Sequence, residues 1–563
     1  MPIRSGLRAL SSFAALAGVL LVLLPASGPV TASAPAAGRP VSDRPAAGAQ
    51  VARAPLPALR WGRCRSDESG SASGRESGRA AGIRQRTTCA DIWVPLDYDR
   101  PHGARTRLHL ARVAAVRPGA RIGTLFVNPG GPGGPSAEFA GYAAHLLGDR
   151  VQARFDVVGI DPRGTGGSGE VSCRGPRPRS LPAYPRTTEE IAAQLRSDAR
   201  VRRACRRAAT PLTDHASTAD NARDMELVRR ALRERRISYL GISYGTYLGA
   251  TYAAMFPDRI RAMVVDGVLD PVAWSTGEPG SRDPFSTRVR SGAGSHEALM
   301  AALAECARVG EQRCPIAAAP QETWERVLAR AAARPIRIEG ERVSDRDLIS
   351  LVTSLLYDAS AVPLILEYVD ELDRAASAPA GARRSTRLLD LHRRVATVHE
   401  RRAAGGPWTA PAGRRVGVQS PAVMCSDSRN PDRPRAWVRA AARADREAPG
   451  FGPLWTWVSS LCAREGIGSG ADSYRGPWRT RTAYPLLVVG NSHDPATPIS
   501  GARRVHGLFA GSRLVTYDGW GHGALGTGRC ARRTMAGYLV GRELPAAGKV
   551  CPAPPLFAKP PRG

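Results

Sequence analysis

Lysine is almost missing from this chain. Lys549 and Lys559 are the only two, so 78 of the 80 basic residues are arginine. The formal net charge of +30 invites a nucleic-acid reading, because basic surfaces hold polyanions. The arginines are instead spread along the whole chain, and no recognised binding module accompanies them. That pattern fits arginine used wherever a cation is tolerated and argues against nucleic-acid binding. Adhesion to an anionic cell surface is the side effect such a charge predicts. Metal-site spacing is missing too. There is no C-x-x-C pair, no H-E-x-x-H and no clustered His/Cys pattern, so neither a metal nor a cofactor is expected. No G-K-[ST] follows a glycine-rich loop, which argues against a phosphate cradle. Beyond the N-terminus no apolar run is long enough to span a membrane.

The N-terminus reads as a secretion signal over residues 1–34. Arg4 and Arg8 precede the apolar run Phe13 to Leu24, and small residues follow around Ala32-Ser33-Ala34. The rival reading is an uncleaved anchor, for which the run is short. No cysteine lies near the cleavage region to carry a lipid. Residues 35–57 are rich in Ala, Pro and Arg without periodicity and read as a linker or a pro-segment. Ten cysteines in a secreted chain predict five disulfides. Sequence neighbours suggest Cys64–Cys89, Cys173–Cys205, Cys306–Cys314, Cys425–Cys462 and Cys530–Cys551, although other pairings are open.

The most informative residues are Gly241-Ile242-Ser243-Tyr244-Gly245, the one G-x-S-x-G in the chain. Ahead of it, Asp220 to Arg235 carries Met225, Val228, Ala231 and Leu232 at helical spacing, and Ile237 to Leu240 reads as a buried strand. Behind it, Thr246 to Phe256 reads as a helix that Pro257 and Asp258 end. A G-x-S-x-G turn between strand and helix is a nucleophile elbow, which lifts a serine hydroxyl clear of the sheet. The bland alternative is a tight turn with a structural serine.

Acid and base follow such a serine in the order acid, then histidine. Tyr484 to Gly490 reads as a strand leading into Asp494, and Arg513 to Tyr517 as a strand leading into His522. Loops at the carboxyl ends of parallel strands place functional groups. Asp494 and His522 are therefore the expected acid and base. His493, Asp266, Asp270 and Asp518 are weaker rivals. Asp266 and Asp270 read better as caps, and Asp518 as a turn residue before Gly519. The oxyanion donors are expected at Gly130 or Gly131, in the loop Asn128 to Pro135 after the strand Gly123 to Val127, and at Tyr244.

These motifs resemble the secreted tripeptidyl aminopeptidase family of the α/β-hydrolase superfamily, related to proline iminopeptidases. The matching pieces are Asn128 to Gly134, Asp161 to Ser168, Leu240 to Gly249, Val265 to Pro271, Gly490 to Pro498 and Gly521 to Gly523. Together they span about residues 58 to 552. Pro135 departs from the small residue usual after these glycines and is expected to narrow or stiffen the oxyanion loop. The resemblance implies an α/β-hydrolase fold: a mostly parallel central sheet, helices on both faces and an inserted helical lid. The core is expected over 58–271 and 421–557, with the lid over 272–420, where Thr323 to Arg334, Asp345 to Tyr357 and Pro363 to Ala376 have helical periodicity.

The implied activity is release of short N-terminal peptides, in particular tripeptides, from peptides with a free N-terminus. A buried ammonium needs carboxylates. Asp427 is the first expectation for it and Glu138 the second, against a structural role for each. The competing functions are an esterase or lipase using the same triad on lipid or cell-wall esters, and an inactive surface protein on a hydrolase scaffold.

Overall fold

A computed structural model describes residues 46–64, 82–83, 86–175, 181–377, 385–404, 415–463 and 466–557. The expected signal segment and the first part of the linker lie outside the described residues. Nine strands form the central sheet: β1 (Thr87–Pro95), β2 (Arg105–Val113), β3 (Gly123–Asn128), β4 (Phe155–Ile160), β5 (Ile237–Ile242), β6 (Ile260–Asp266), β7 (Leu486–His493), β8 (Arg513–Trp520) and β9 (Val550–Pro552). Their spatial order is β1-β2-β4-β3-β5-β6-β7-β8-β9. The β1–β2 and β2–β4 pairs are antiparallel and every later pair is parallel. This is the α/β-hydrolase fold.

The parallel strands are apolar runs because both sheet faces are covered. Successive side chains alternate between two cores. Phe126, Tyr239, Met263, Val265 and Val488 enter one. Leu125, Val127, Leu240, Val264 and Val489 enter the other. The helices α1 (Ala47–Arg53), α2 (Ser136–Leu147), α3 (Thr218–Ala231) and α4 (Tyr244–Met255) cover the first half of the sheet. α2 contributes Ala140, Ala143 and Ala144 to the second core, while α3 and α4 contribute Met225, Val228 and Leu248 to the first.

Within the segment read as a linker or a pro-segment, Ala47–Arg53 forms α1. Val51 is buried, and Gln50 donates to Asp99 and accepts from Arg223. A single apolar residue and one glutamine do this, which leaves no periodicity to read.

Between β6 and β7 lies a helical insertion: α5 (Ser291–Val309), α6 (Pro320–Ala333), α7 (Asp345–Leu355), α8 (Val362–Ser377), α9 (Thr386–Ala404), α10 (Gln419–Asp427) and α11 (Arg435–Glu447). Two short strands, Ile336–Ile338 and Glu341–Val343, form a hairpin within it. The chain returns to the core's helices at α10, where Asp427 meets Thr218, but the sheet itself resumes only at Leu486. α12 (Ile499–Leu508) and α13 (Arg529–Gly541) follow β7 and β8. All five neighbour disulfides are formed: Cys64–Cys89, Cys173–Cys205, Cys306–Cys314, Cys425–Cys462 and Cys530–Cys551. No described helix is long and apolar enough to cross a membrane.

Strand order reverses at β3, with β4 on one side and β5 on the other. Such a switch point opens a crevice at the carboxyl ends of the strands. The loops after β3 and β5 both empty into it.

Candidate active site

Ser243 joins β5 to α4 at φ +57° and ψ −127°. A side chain in that region is strained, and such strain marks sites the surrounding structure holds in place. The neighbours show why the turn needs glycine. A Cβ on Gly241 would lie 2.3 Å from Gly245 O, and one on Gly245 would lie 2.7 Å from Asn128 O. Ser243 N–H donates to Asp266 O at 3.1 Å, and Thr246 N–H donates to Ser243 O at 2.8 Å. The serine side is thus fixed from both β6 and α4 while Ser243 itself stays half-buried.

Asp494 and His522 lie in the loops after β7 and β8. Asp494 is buried. Its carboxylate accepts the N–H of Ala496 (2.9 Å), Thr497 (2.8 Å) and Gly523 (3.2 Å), the Thr497 hydroxyl (3.0 Å) and His522 Nδ1 (2.9 Å). Since the carboxylate can only accept, Nδ1 carries the proton, and in the neutral imidazole Nε2 presents a lone pair. Nε2 is buried and has no hydrogen-bond partner, Ser243 included. The loops nonetheless converge: a Cβ on Gly523 would lie 3.3 Å from the Ile242 side chain, and one on Gly267 would lie 3.3 Å from Thr497 Oγ1.

The rival acids have other partners. Asp266 is fully buried and accepts the N–H of Ala524 (2.9 Å) and Leu525 (2.8 Å), just past His522. Burial pushes its carboxyl up to about 6, with Asp494 adding to the rise and the amides opposing it. Asp270 caps the short helix Pro271–Ser275 through Val272 N–H at 2.8 Å. His493 stacks on Trp520 and pairs with Glu297. Asp518 is a strand residue of β8 that accepts from Ser492 Oγ at 2.9 Å, not a turn residue. β8 runs three residues further than its apolar pattern, so the Asp-Gly signal misled.

The oxyanion expectation needs one correction. Gly130 N–H donates to Asn128 Oδ1 at 2.9 Å and is not free for a substrate oxygen. Asn128 can accept it because its own amide donates to Ser136 Oγ, which fixes the side chain across the loop. Gly130 instead supplies thinness: a Cβ there would lie 2.8 Å from the Ser243 Cβ and 3.0 Å from Tyr244 N. Gly131 N–H makes no hydrogen bond within the described chain. Tyr244 opens α4, so its N–H has no acceptor in a preceding turn. Pro135 immediately precedes α2, in extended conformation.

Asp427 does not line an open pocket, which corrects its assignment to substrate. It is buried, and its oxygens take Thr218 N–H (2.9 Å) and Thr218 Oγ1 (2.6 Å). Burial pushes its carboxyl up to about 7. Thr218 Oγ1 in turn bonds the hydroxyl of Tyr244, so the acid reaches the elbow indirectly. Glu138 is exposed in the first turn of α2 and makes no hydrogen bond or ion pair among the described residues.

Three supports were not singled out in the sequence. Thr497 bonds both Asp494 and, at 3.3 Å, His522 Nδ1. Ser420 at the start of α10 donates to Pro132 O in the oxyanion loop. Tyr357, in the insertion, packs on His522. Thr497 lies three residues past Asp494, whereas Ser420 and Tyr357 come from distant segments and could be found only by proximity. One group of ligand-type residues, Asp97, His215 and Asp472, comes together among the described residues. It reads as an ion-paired histidine, since Asp472 raises the His215 pKa.

Two family models match the chain. The α/β-hydrolase fold model matches residues 123–286, and a TAP-like protein model matches residues 447–551. The tripeptidyl aminopeptidase of Streptomyces lividans is 30% identical, with 82% of this chain and 83% of that protein covered. The chain belongs to the tripeptidyl aminopeptidase family. Serine protease Hip1 of Mycobacterium tuberculosis is 30% identical, covering 82% of this chain and 87% of that protein. Carboxylesterase B of the same organism is 31% identical, covering 82% and 86%. In this family member the first model spans the glycine-rich loop 128–135 and Ser243, and the second spans Asp494 and His522. Most of the insertion lies in neither.

Proposed function

We propose that the chain is a secreted serine exopeptidase that releases short N-terminal peptides, tripeptides above all, through an acyl-enzyme on Ser243. The observation that carries this is the strained Ser243 beside an Asp494–His522 pair whose Nε2 holds a free lone pair. His522 takes the Ser243 proton as Oγ attacks the scissile carbonyl. Asp494 fixes the tautomer and stabilises the imidazolium. The N–H groups of Gly131 and Tyr244 receive the oxyanion, each worth about 3 kcal/mol in the transition state. His522 then protonates the leaving amine, and water, deprotonated by the same imidazole, releases the acyl peptide.

The helical insertion acts as the lid, which restricts what reaches the serine. Glu138 is the remaining acid offered for the free α-amino group, since it is exposed one turn past the oxyanion loop. Secretion rests on the residues 1–34 pattern and accords with the five disulfides. Adhesion to an anionic surface has a site that favours it. A groove of about 730 Å³ between residues 276–283 and 429–439 is lined by Arg282, Arg429, Arg433 and Arg439, none of which makes an ion pair among the described residues. Two of its acids are already paired, Glu278 with Arg504 and Asp283 with Arg443.

The test compares a free-amine tripeptidyl anilide, its N-acetylated twin and a short-chain ester, with wild type and Ser243→Ala. Cleavage of the free-amine peptide alone, lost in the variant, is the expected result. Retained turnover in pure Ser243→Ala protein would sink the mechanism. Preference for the ester would favour the second reading, an esterase, for which a relative named carboxylesterase B speaks.

A further inference from the structure

His522 is held firmly on one side only. Asp494 and Thr497 both engage Nδ1. Hydrogen bonds at Nδ1 hold one corner of the imidazole, and small coupled rotations about Cα–Cβ and the broad Cβ–Cγ torsion can still tilt Nε2 within their slack. Nε2 has no partner to stop it. The second contact comes from the insertion, at the turn between α7 and α8. Tyr357 O accepts the His522 N–H at 3.0 Å. The Tyr357 ring meets the imidazole edge-on, with centroids 4.8 Å apart and planes at 68°, a favoured aromatic geometry. Gly521, at φ +99°, lets the two turns touch: a Cβ there would lie 3.3 Å from Tyr357 O and 3.4 Å from Ala359 N.

We infer that Tyr357 is a positioning residue for His522: the lid's α7–α8 turn seats the imidazole so that Nε2 faces Ser243. This rests on the reading of His522 as the base. Neither family model includes Tyr357, so the seat is supplied by the inserted part of the chain. The base is complete only when that turn is docked on residues 521–523. A displaced turn removes the contact on the ring's other side and lets the imidazole tilt, which carries Nε2 off the serine.

The test uses Tyr357→Ala and Tyr357→Phe in the full chain, with Ser243→Ala and His522→Ala alongside. Three quantities are read: kcat and KM on a free-amine tripeptidyl anilide, and the rate of Ser243 labelling by a small fluorophosphonate. Tyr357→Ala is expected to lower kcat and labelling about 10- to 100-fold, the scale of a misplaced reacting group. KM should stay within about two-fold, because ground-state binding is untouched. Tyr357→Phe keeps the ring and should restore both rates. If Tyr357→Ala does not fold, Tyr357→Leu keeps the bulk without the ring edge and carries the same expectation.

An unchanged kcat in the alanine or leucine variant overturns the inference. So does a rise in KM alone, which would make the ring a substrate wall. A phenylalanine variant as impaired as alanine overturns it as well. Active Ser243→Ala or His522→Ala overturns the catalytic reading and this inference together. Inactive triad variants with wild-type behaviour at Tyr357 overturn this inference alone.

Discussion

Asp427 has the most exact residue-scale consequence. Its carboxyl is buried against Thr218, and burial raises its folded pKa to about 7, against about 3.9 for a solvated Asp. A raised folded pKa means the native state prefers the neutral acid. The stability this gives is fully present below the unfolded pKa and is lost as pH rises through about 7. Asp427→Asn cannot ionise and lacks that slope. Urea midpoints of wild type and Asp427→Asn at pH 5 and pH 8 should therefore diverge in one direction: wild type loses ground to the variant at the higher pH. A pH-independent gap would mean the carboxyl does not titrate in this range. Gly130 makes the second residue-scale case. Gly130→Ala must put a Cβ 2.5 Å from Ile242 O at φ +100°, so the oxyanion loop has to move off the elbow. We expect turnover to fall at least about 100-fold in a protein that still folds, checked by activity beside circular dichroism.

At the scale of elements, the turn after β4 is bolted to α3 and the end of β1 by one buried arginine. Arg163 donates to both oxygens of Asp224 (2.7 and 2.8 Å) and to the carbonyls of Pro95 (2.8 Å), Leu96 (2.7 Å) and His215 (2.9 Å). Its N–H side is held by Asn221 at 2.9 Å. Breaking a buried pair from one side strands the other charge, at a cost of about 3–5 kcal/mol. Asp224→Asn should lower the denaturation midpoint accordingly, whereas reversing an exposed pair such as Arg290–Glu447 should change little. The strands around the site were legible because both sheet faces are covered, which leaves short apolar runs between glycine-rich turns. β8 was read short because the Asp518-Gly519 pair looks like a turn and breaks the apolar pattern, although the strand runs on to Trp520. α1 was not legible at all, because one turn of burial leaves no period.

For the whole molecule, charge and cross-links set the behaviour. The groove arginines and the +30 balance act through screened fields that shrink within about 8 Å at physiological salt. Binding to anionic lipid vesicles should therefore weaken as salt rises, and Arg429→Glu with Arg433→Glu should reduce it more than two charge reversals elsewhere. Equal effects at any two arginines would assign adhesion to net charge and not to the groove. Ser243, Asp494 and His522 were readable as candidates from sequence because each sits at or just past a strand end, where the chain must turn at the sheet edge. The five disulfide partners were readable as neighbours because each pair closes a local segment. What the sequence alone determined is the sheet, its glycine turns and the polar residues at its carboxyl edge, since periodicity and turn chemistry are local. The rest needed the tertiary structure. Only it gave Gly130 its packing role, withdrew Asp427 into the core behind Tyr244 and set Tyr357 against His522. Those assignments depend on which distant segment lies within hydrogen-bond reach, and chain order does not encode that distance.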